Sequence, residues 1–210
     1  MRVLALSDLH DNFAAVAPET LPDADLCLIA GDLTNYGKRS RHKELFFAEE
    51  WLKGLGKRYP TFWIPGNHDI RVDCASFSPL KNVTCILDQT VYWNGLSLHG
   101  VSMSPCYDRP RLAKDWDYMT ADREKERLAY AFEGVDIVIS HSPPFGCCDL
   151  AQSRSMLEPL SIGSEELRAY VETHAPKLVI CGHVHEAQGT GFIGETLVIN
   201  AAQAIVTLEL

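Results

Sequence analysis

Short apolar runs alternate with longer amphipathic stretches along this chain of 210 residues. The runs are rich in Val, Ile and Leu and nearly continuous in apolar character, which predicts strands that are buried on both faces. They cover residues 3–6, 26–30, 62–64, 135–139, 178–181 and 197–199.

The stretches between several of these runs have the periodicity of helices. Leu45, Ala48, Leu52 and Leu55 follow in steps of three and four, which predicts a helix with one apolar stripe packed on a sheet.

Capping residues predict two more helices. One begins near Thr120 as its N-cap and ends before Gly134, and the other begins near Ser164 and ends before Pro176. Both have acidic residues in their first turns, as the helix dipole favours.

Between residues 70 and 120 the pattern is less regular, with strand-like segments at 83–87 and 96–100 followed by a loop that contains proline. Alternating strands and helices predict an α/β layered domain. Because no repeat, linker or low-complexity tract divides the chain, we expect one domain over residues 1–210.

Charge and hydropathy narrow the classes of function. A net charge of −9 and a pI near 5.3 argue against a broad basic surface, so we expect no long nucleic acid as a partner. No signal-peptide pattern opens the chain and no apolar run has membrane-spanning length. We therefore expect a cytoplasmic protein without a membrane partner; the pattern does not indicate an oligomeric state.

The seven cysteines form no CxxC pair, are odd in number and accompany no secretion signal. This predicts free, buried thiols. The adjacent Cys147 and Cys148 are expected to be two reduced thiols in a loop, with a redox-active pair as the alternative.

Candidate chemistry collects where five of the apolar runs end. Each run is followed by a cluster of Asp, Asn or His, and five of the eight histidines lie in these clusters. Loops at the carboxyl ends of neighbouring strands converge in space, so residues distant in sequence can surround one point. The clusters are Asp8-Leu9-His10, Gly31-Asp32, Gly66-Asn67-His68-Asp69, Ser140-His141 and Gly182-His183-Val184-His185.

The residue types in these clusters indicate a metal centre. Asp8 and His10 lie two apart on a segment expected to be extended, so they should face the same side, as should His183 and His185. Carboxylate, imidazole and amide donors without thiolate suit divalent Mn, Fe, Zn or Co, of which we favour Mn.

In order and spacing these clusters resemble the pattern D-x-H, GD, GN-H-[DE], H and GH-x-H of the calcineurin-like metallophosphoesterases, over almost the whole chain from Arg2 to about Asn200. The resemblance implies two divalent metal ions as cofactors. Their implied ligands are Asp8, His10 and His185 for the first ion, Asn67, His141 and His183 for the second, and Asp32 as the bridge between them.

Within that family, the segments EGVDIVISHSPPFG, CGHVHEAQG and VINAA look most like small metallophosphoesterase-domain proteins related to class III cyclic nucleotide phosphodiesterases. The resemblance implies a sandwich of two mixed β-sheets flanked by helices on both outer faces, a four-layer arrangement.

One segment departs from the protein Ser/Thr phosphatases of the family. Those carry GD-x-x-DRG, whereas this chain reads GDLTNYG, with Asn35 and Tyr36 in place of the Asp and Arg. The bidentate phosphate clamp of that Arg is therefore absent. We expect Asn35 to hydrogen-bond His68 instead.

These features predict a dinuclear phosphoester hydrolase. Two ions lower the pKa of a bridging water, and the resulting hydroxide is expected to attack phosphorus in line. Asn67 and His68 are expected to contact the substrate, with His68 as the general acid or, alternatively, a structural residue beside the metals. Asp69 is expected to brace its loop rather than to transfer a proton.

Loop residues between the third and fourth clusters are candidates for substrate contact, although a solvated or core role is the simpler interpretation for each. They are Arg71, Tyr107, Arg109, Arg111 and Trp116.

For the substrate we expect a small phosphodiester, nucleotide-like in character. The alternatives are a phosphomonoesterase with the same site, a nuclease, and a non-catalytic scaffold that retains the fold. The acidic surface argues against the nuclease, and the complete set of implied ligands argues against the scaffold.

Overall fold

The computed structural model describes residues 1–35, 43–77, 79–152 and 158–210. Tyr36, which stands in place of the phosphate-binding Arg of the protein Ser/Thr phosphatases, lies outside these residues. Within them no helix is long and apolar enough to cross a membrane.

Strands dominate the described residues. The fifteen strands are β1 (Arg2–Leu6), β2 (Leu26–Ile29), β3 (Thr61–Trp63), β4 (Val83–Cys85), β5 (Thr90–Trp93), β6 (Leu96–Val101), β7 (Ser104–Pro105), β8 (Met119–Thr120), β9 (Ile137–Ser140), β10 (Leu150–Ala151), β11 (Leu160–Ser161), β12 (Leu178–Cys181), β13 (Gly189–Ile193), β14 (Thr196–Asn200) and β15 (Val206–Glu209).

The helices are fewer. The α-helices are α1 (Lys43–Gly56), α2 (Leu112–Asp115), α3 (Arg123–Ala129) and α4 (Glu165–His174), and short 3-10 helices cover Phe13–Val16, Pro18–Thr20 and His185–Ala187.

Two large mixed sheets form the framework. Sheet 1 has the order β15-β1-β2-β3-β4, with β1 to β4 parallel and β15 antiparallel to β1. Sheet 2 has the order β13-β14-β12-β9-β6-β5, with its four central strands parallel and its two edge strands antiparallel. Two further pairs, β7 with β8 and β10 with β11, are short.

Alternate residues of the central strands enter different cores, because side chains alternate across a strand. In β1, Val3 and Ala5 pack between the two sheets, whereas Leu4 and Leu6 pack under α1. In β12, Leu178 and Ile180 likewise face sheet 1, and the intervening residues face α4. Each of these two central strands is thus apolar on both sides, which explains the continuous apolar runs, and the predicted four layers are confirmed.

The predicted helices agree with the structure in part. Ala48, Leu52 and Leu55 of α1 are buried on sheet 1, and the Ser164 hydroxyl caps α4 by accepting from the Leu167 N–H at 2.9 Å. Both predictions are confirmed.

The predicted start of the helix near Thr120 is wrong. Thr120 belongs to β8, where it pairs with Pro105. The cap is Asp122, whose carboxylate accepts from the backbone N–H groups of Glu124 and Lys125, and the helix ends at Ala129, short of Gly134. A Thr and an Asp two residues apart offer competing caps, and strand pairing removes the first.

The prediction that all cysteines are free thiols is also wrong, because Cys74 and Cys85 form a disulfide. Cys85 lies in β4, and Cys74 lies in the loop that connects β3 to β4. The pairing depends on the path of that loop, which no short cysteine motif reveals. The other five cysteines are free; Cys148 is half-buried and the rest are buried.

Candidate metal centre

The carboxyl ends of five parallel strands meet at one edge of the sandwich. Residues that follow β1, β2 and β3 come from sheet 1, and residues that follow β9 and β12 come from sheet 2. The predicted site residues lie in these loops. Asp8, Asp32, Asn67 and His141 are buried, and His10, His68, His183 and His185 are half-buried.

The structure brings together the first predicted ligand set. The Nε2 atom of His185 lies 2.9 Å from Oδ1 of Asp8 and 3.3 Å from Nε2 of His10. Nε2 of His10 is 3.8 Å from the same Asp8 oxygen. Three donor atoms thus surround a space of the size that one metal ion needs.

The second predicted set is equally close. Oδ1 of Asn67 lies 2.9 Å from Nε2 of His141 and 2.8 Å from Nδ1 of His183. The amide oxygen carries lone pairs, and each of the two ring nitrogens carries one when its proton is on the other nitrogen of the ring. All three atoms can therefore be ligands of one metal ion.

Asp32 lies between the two sets. Its Oδ2 atom is 3.8 Å from Nε2 of His10, and its Oδ1 atom is 3.5 Å from Nε2 of His141. One carboxylate therefore turns one oxygen towards each set, the arrangement that a bridging ligand requires.

The backbone at these residues is unusual. Asp8, His10, Asp32 and His183 have φ angles of 57°, 46°, 52° and 67°, in the left-handed region that non-glycine residues rarely adopt. The expected extended segments are therefore wrong: both D-x-H and H-x-H turn sharply, and His185 begins a 3-10 helix. Such strain collects at functional sites, where it directs side chains to one point.

Neighbouring groups fix the orientation of the candidate ligands. Oδ2 of Asp8 accepts from the Ser7 hydroxyl at 2.7 Å and from the His183 N–H at 2.9 Å. Nδ1 of His141 donates to the Ala30 carbonyl at 2.7 Å, which leaves its Nε2 lone pair to face Asn67. The sequence patterns did not indicate Ser7 or Ala30, because neither belongs to a motif.

Asp69 braces its own loop, as predicted, and also joins it to the loop after β2. Its buried carboxylate accepts from the backbone N–H groups of Leu33, Thr34 and Gly66, and from the Thr34 hydroxyl. The bracing role is confirmed. Burial raises the pKa of Asp69, whereas these hydrogen bonds act in the opposite direction.

His68 sits beside both ligand sets. Its backbone N–H donates to Oδ1 of Asp32 at 2.7 Å, and its Nδ1 lies 3.1 Å from Oδ1 of Asn35, so the predicted Asn35 contact is confirmed. The Trp116 ring packs against its imidazole with 4.1 Å between ring centroids. Burial, together with the charge that His10 would carry if protonated, lowers the pKa of His68 to about 4.

Of the other loop residues considered from the sequence, Tyr107 is used structurally. Its hydroxyl donates to Glu126, and the Arg123 guanidinium lies over its ring. Arg71, Arg109 and Arg111 have exposed side chains.

The electrostatics of the site fit a bound cation. Burial raises the pKa of Asp32 well above its usual range, and the Asp8 charge raises it further. Burial also lowers the pKa of His183 to about 3, aided by the charge that His141 would carry if protonated. In the described part of the chain, no Lys or Arg forms an ion pair with either carboxylate. Buried carboxylates that face imidazoles and have no Lys or Arg partner match the donors of a divalent metal.

A glycine between the sheets tests this geometry. A Cβ on Gly182 would overlap the Ser7 hydroxyl and the Asp8 carboxylate. We expect Gly182→Ala to weaken binding of the first metal ion by about 10- to 100-fold, the usual effect of disturbing groups that orient ligands. Calorimetric titration with Mn²⁺ measures this.

The control for that substitution is Gly134→Ala. The nearest atom to a Cβ there is Nδ1 of His174 at 3.2 Å, away from the site. Equal metal affinity in the wild type and the Gly182 variant, at unchanged melting temperature, would show that Asp8 is not a ligand.

Comparisons with known proteins agree on one family. A family model described as calcineurin-like phosphoesterase matches residues 1–187. The chain is 27% identical over 243 residues to metallophosphoesterase domain-containing protein 1 of Homo sapiens. That alignment covers 99% of this chain and 68% of the human protein. The chain is also 27% identical over 173 residues to the 3',5'-cyclic-nucleotide phosphodiesterase alr5338 of Nostoc sp. That alignment covers 80% of this chain and 58% of the Nostoc protein.

A solved structure, that of TT1561 of Thermus thermophilus, has the same fold. It aligns with a TM-score of 0.53 and 17% identity over 95% of this chain and 88% of that chain.

Proposed function

The chain belongs to the calcineurin-like phosphoesterase family, and on that premise we propose that it hydrolyses small, nucleotide-like phosphodiesters with two divalent metal ions. The observation that carries the proposal is the pair of ligand sets that face each other across Asp32, each with donor atoms within 4 Å. The name of the Nostoc relative supports a phosphodiester substrate.

The proposed ligands of the first ion are Asp8, His10 and His185, those of the second are Asn67, His141 and His183, and Asp32 bridges them. Bound ions would supply positive charge to the phosphoryl oxygens and acidify the attacking water. We favour Mn²⁺, because oxygen and imidazole donors without thiolate suit it. A cytoplasmic location remains a prediction from the sequence.

The residues of this chain then position the substrate. Asn67 has its oxygen directed at two histidines, so its NH₂ group is free to donate to a phosphate oxygen. His68 has Nδ1 beside Asn35, which leaves Nε2 to face the leaving oxygen. An imidazole in this place can donate a proton as the bond to the leaving group breaks.

The general test is metal content together with turnover. Purified protein should contain two ions per chain and hydrolyse phosphodiesters only when they are bound. Two bound ions without turnover on a broad panel of nucleotide diesters and monoesters would favour the non-catalytic scaffold instead.

We expect a preference for bis(p-nitrophenyl) phosphate over p-nitrophenyl phosphate of at least about tenfold in kcat/KM, or about 1.4 kcal/mol. A diester carries one negative charge where a monoester carries two, and the Arg clamp that would hold the second is absent. Steady-state kinetics with Mn²⁺ measure the ratio. Equal or better kcat/KM on the monoester would favour a phosphomonoesterase with the same site.

A further inference from the structure

A short segment after α2 packs against the loop that carries His68. The Trp116 ring lies on the His68 imidazole, with 4.1 Å between centroids and 39° between planes. The next two residues contact the same loop, since the Asp117 carboxylate accepts from the Arg71 N–H and the Tyr118 hydroxyl donates to the Val72 carbonyl.

Within the described residues, the hydrogen bond of the His68 ring is made by Nδ1, and Nε2 is left for chemistry. The His10 ring meets the imidazole edge-on at 4.7 Å, and Asn35 occupies Nδ1. Trp116 has the shortest centroid distance to the imidazole of these ring neighbours. Among the described residues, Asp117 belongs to no group of candidate metal ligands, whereas His68 forms such a group with His10 and Asp32.

A half-buried imidazole can rotate about χ1 and χ2 unless packing restricts it. Backbone contacts hold the His68 main chain, because its N–H is bound to Asp32. They do not fix the side chain. The Asn35 hydrogen bond restricts one nitrogen, and the Trp116 ring restricts the plane of the imidazole together with the edge-on His10 ring.

We infer that Trp116 is a positioning residue: it holds the His68 imidazole in the orientation that meets the leaving oxygen. The inference rests on the proposed function, in which His68 serves the leaving group. Loss of an aromatic stack reduces the aligned population by about two- to tenfold, the range that such pairs contribute.

The test compares Trp116→Ala and Trp116→Phe on a series of aryl methyl phosphodiesters whose phenols range from good to poor leaving groups. Trp116→Ala should slow the poorest leaving group by up to about tenfold and the best hardly at all. Trp116→Phe, which retains a ring, should recover most of the loss. Tyr118→Phe is the matched control, since it loosens the same segment without removing a contact to His68.

A double-mutant cycle separates positioning from a general structural effect. In a His68→Ala background, Trp116→Ala should have no further effect on turnover, because the ring that it orients is gone. Additive losses, or equal losses for all leaving groups, would overturn the inference.

A second readout does not depend on turnover. In protein loaded with diamagnetic Zn²⁺, the imidazole protons of His68 should have NMR shifts displaced by the indole ring current, lost in Trp116→Ala and partly kept in Trp116→Phe. Unchanged His68 shifts would overturn the inference. A wild type with two ions and displaced His68 shifts but no phosphodiesterase activity would instead refute the proposed function alone.

Discussion

Replacing Asp32 with alanine is expected to remove both metal ions together. The two oxygens of this carboxylate face different ligand sets, His10 on one side and His141 on the other. The side chain is 2% exposed, so water cannot readily take its place. Even groups that only orient ligands contribute about 10- to 100-fold to metal affinity, and we expect a larger loss for each ion here.

Metal stoichiometry by inductively coupled plasma mass spectrometry measures the result, with phosphodiesterase activity expected to fall to background. The control is Asn67→Ala, which removes an oxygen from the second set only and should leave the first ion bound. A melting temperature close to that of the metal-free wild type shows that the fold persists. Two tightly bound ions in the Asp32 variant would mean that Asp32 is not the bridge.

Replacing His68 with alanine is expected to depress hydrolysis of esters with poor leaving groups by about 10² to 10⁴-fold, the usual contribution of general acid catalysis. A p-nitrophenolate is stable near neutral pH and leaves without a proton, whereas a ribose alkoxide is strongly basic and requires one. The loss should thus be large for a nucleotide diester and small for bis(p-nitrophenyl) phosphate.

A general acid must be protonated when the substrate is bound, and the surroundings of His68 affect its protonation. Burial lowers its pKa to about 4, so the imidazole is neutral near pH 7 in the protein alone. An anionic diester at hydrogen-bond distance stabilises the protonated form and raises that pKa.

Kinetics on both substrates and metal analysis of the same preparations decide between roles. Metal content should stay near wild type, because His68 is not required by either proposed ligand set. Equal losses on the two substrates, with both ions bound, would make His68 a phosphate-positioning residue.

Much of the centre could be predicted because strand ends are visible in the sequence. An apolar run such as Leu178–Cys181, followed at once by glycine and two histidines, indicates both the strand and the edge to which its loop projects. Parallel strands bring those edges together, which is why side chains distant in sequence can be predicted to lie close together in space.

The local conformation could not be predicted in the same way. A left-handed Asp8 or His183 is stabilised by contacts between the two sheets, such as the hydrogen bond from His183 N–H to Asp8. The motifs D-x-H and H-x-H contain no information about those contacts. From the local sequence alone, an extended segment is the better prediction.

The region between residues 70 and 120 is the least predictable, since its order depends on cross-links and packing rather than on periodicity. The Cys74–Cys85 disulfide and the Trp116 contact with His68 both join segments whose sequences carry no partner signal. From the sequence, the first is expected to be a pair of thiols and the second a loop residue with two possible roles.

Each proposed ion site takes ligands from both sheets. Asp8 and His10 follow a strand of sheet 1, and their partner His185 follows a strand of sheet 2; Asn67 and its two histidines divide in the same way. Between their central strands the two sheets meet through apolar contacts, which have no preferred direction and tolerate small sliding movements. An ion bound at either proposed site would fix distances at the open end of that interface, so its occupancy would govern the rigidity of the interface. The ambient metal concentration would then contribute to folding stability, by about 2.7 kcal/mol per ion at a hundred times the dissociation constant.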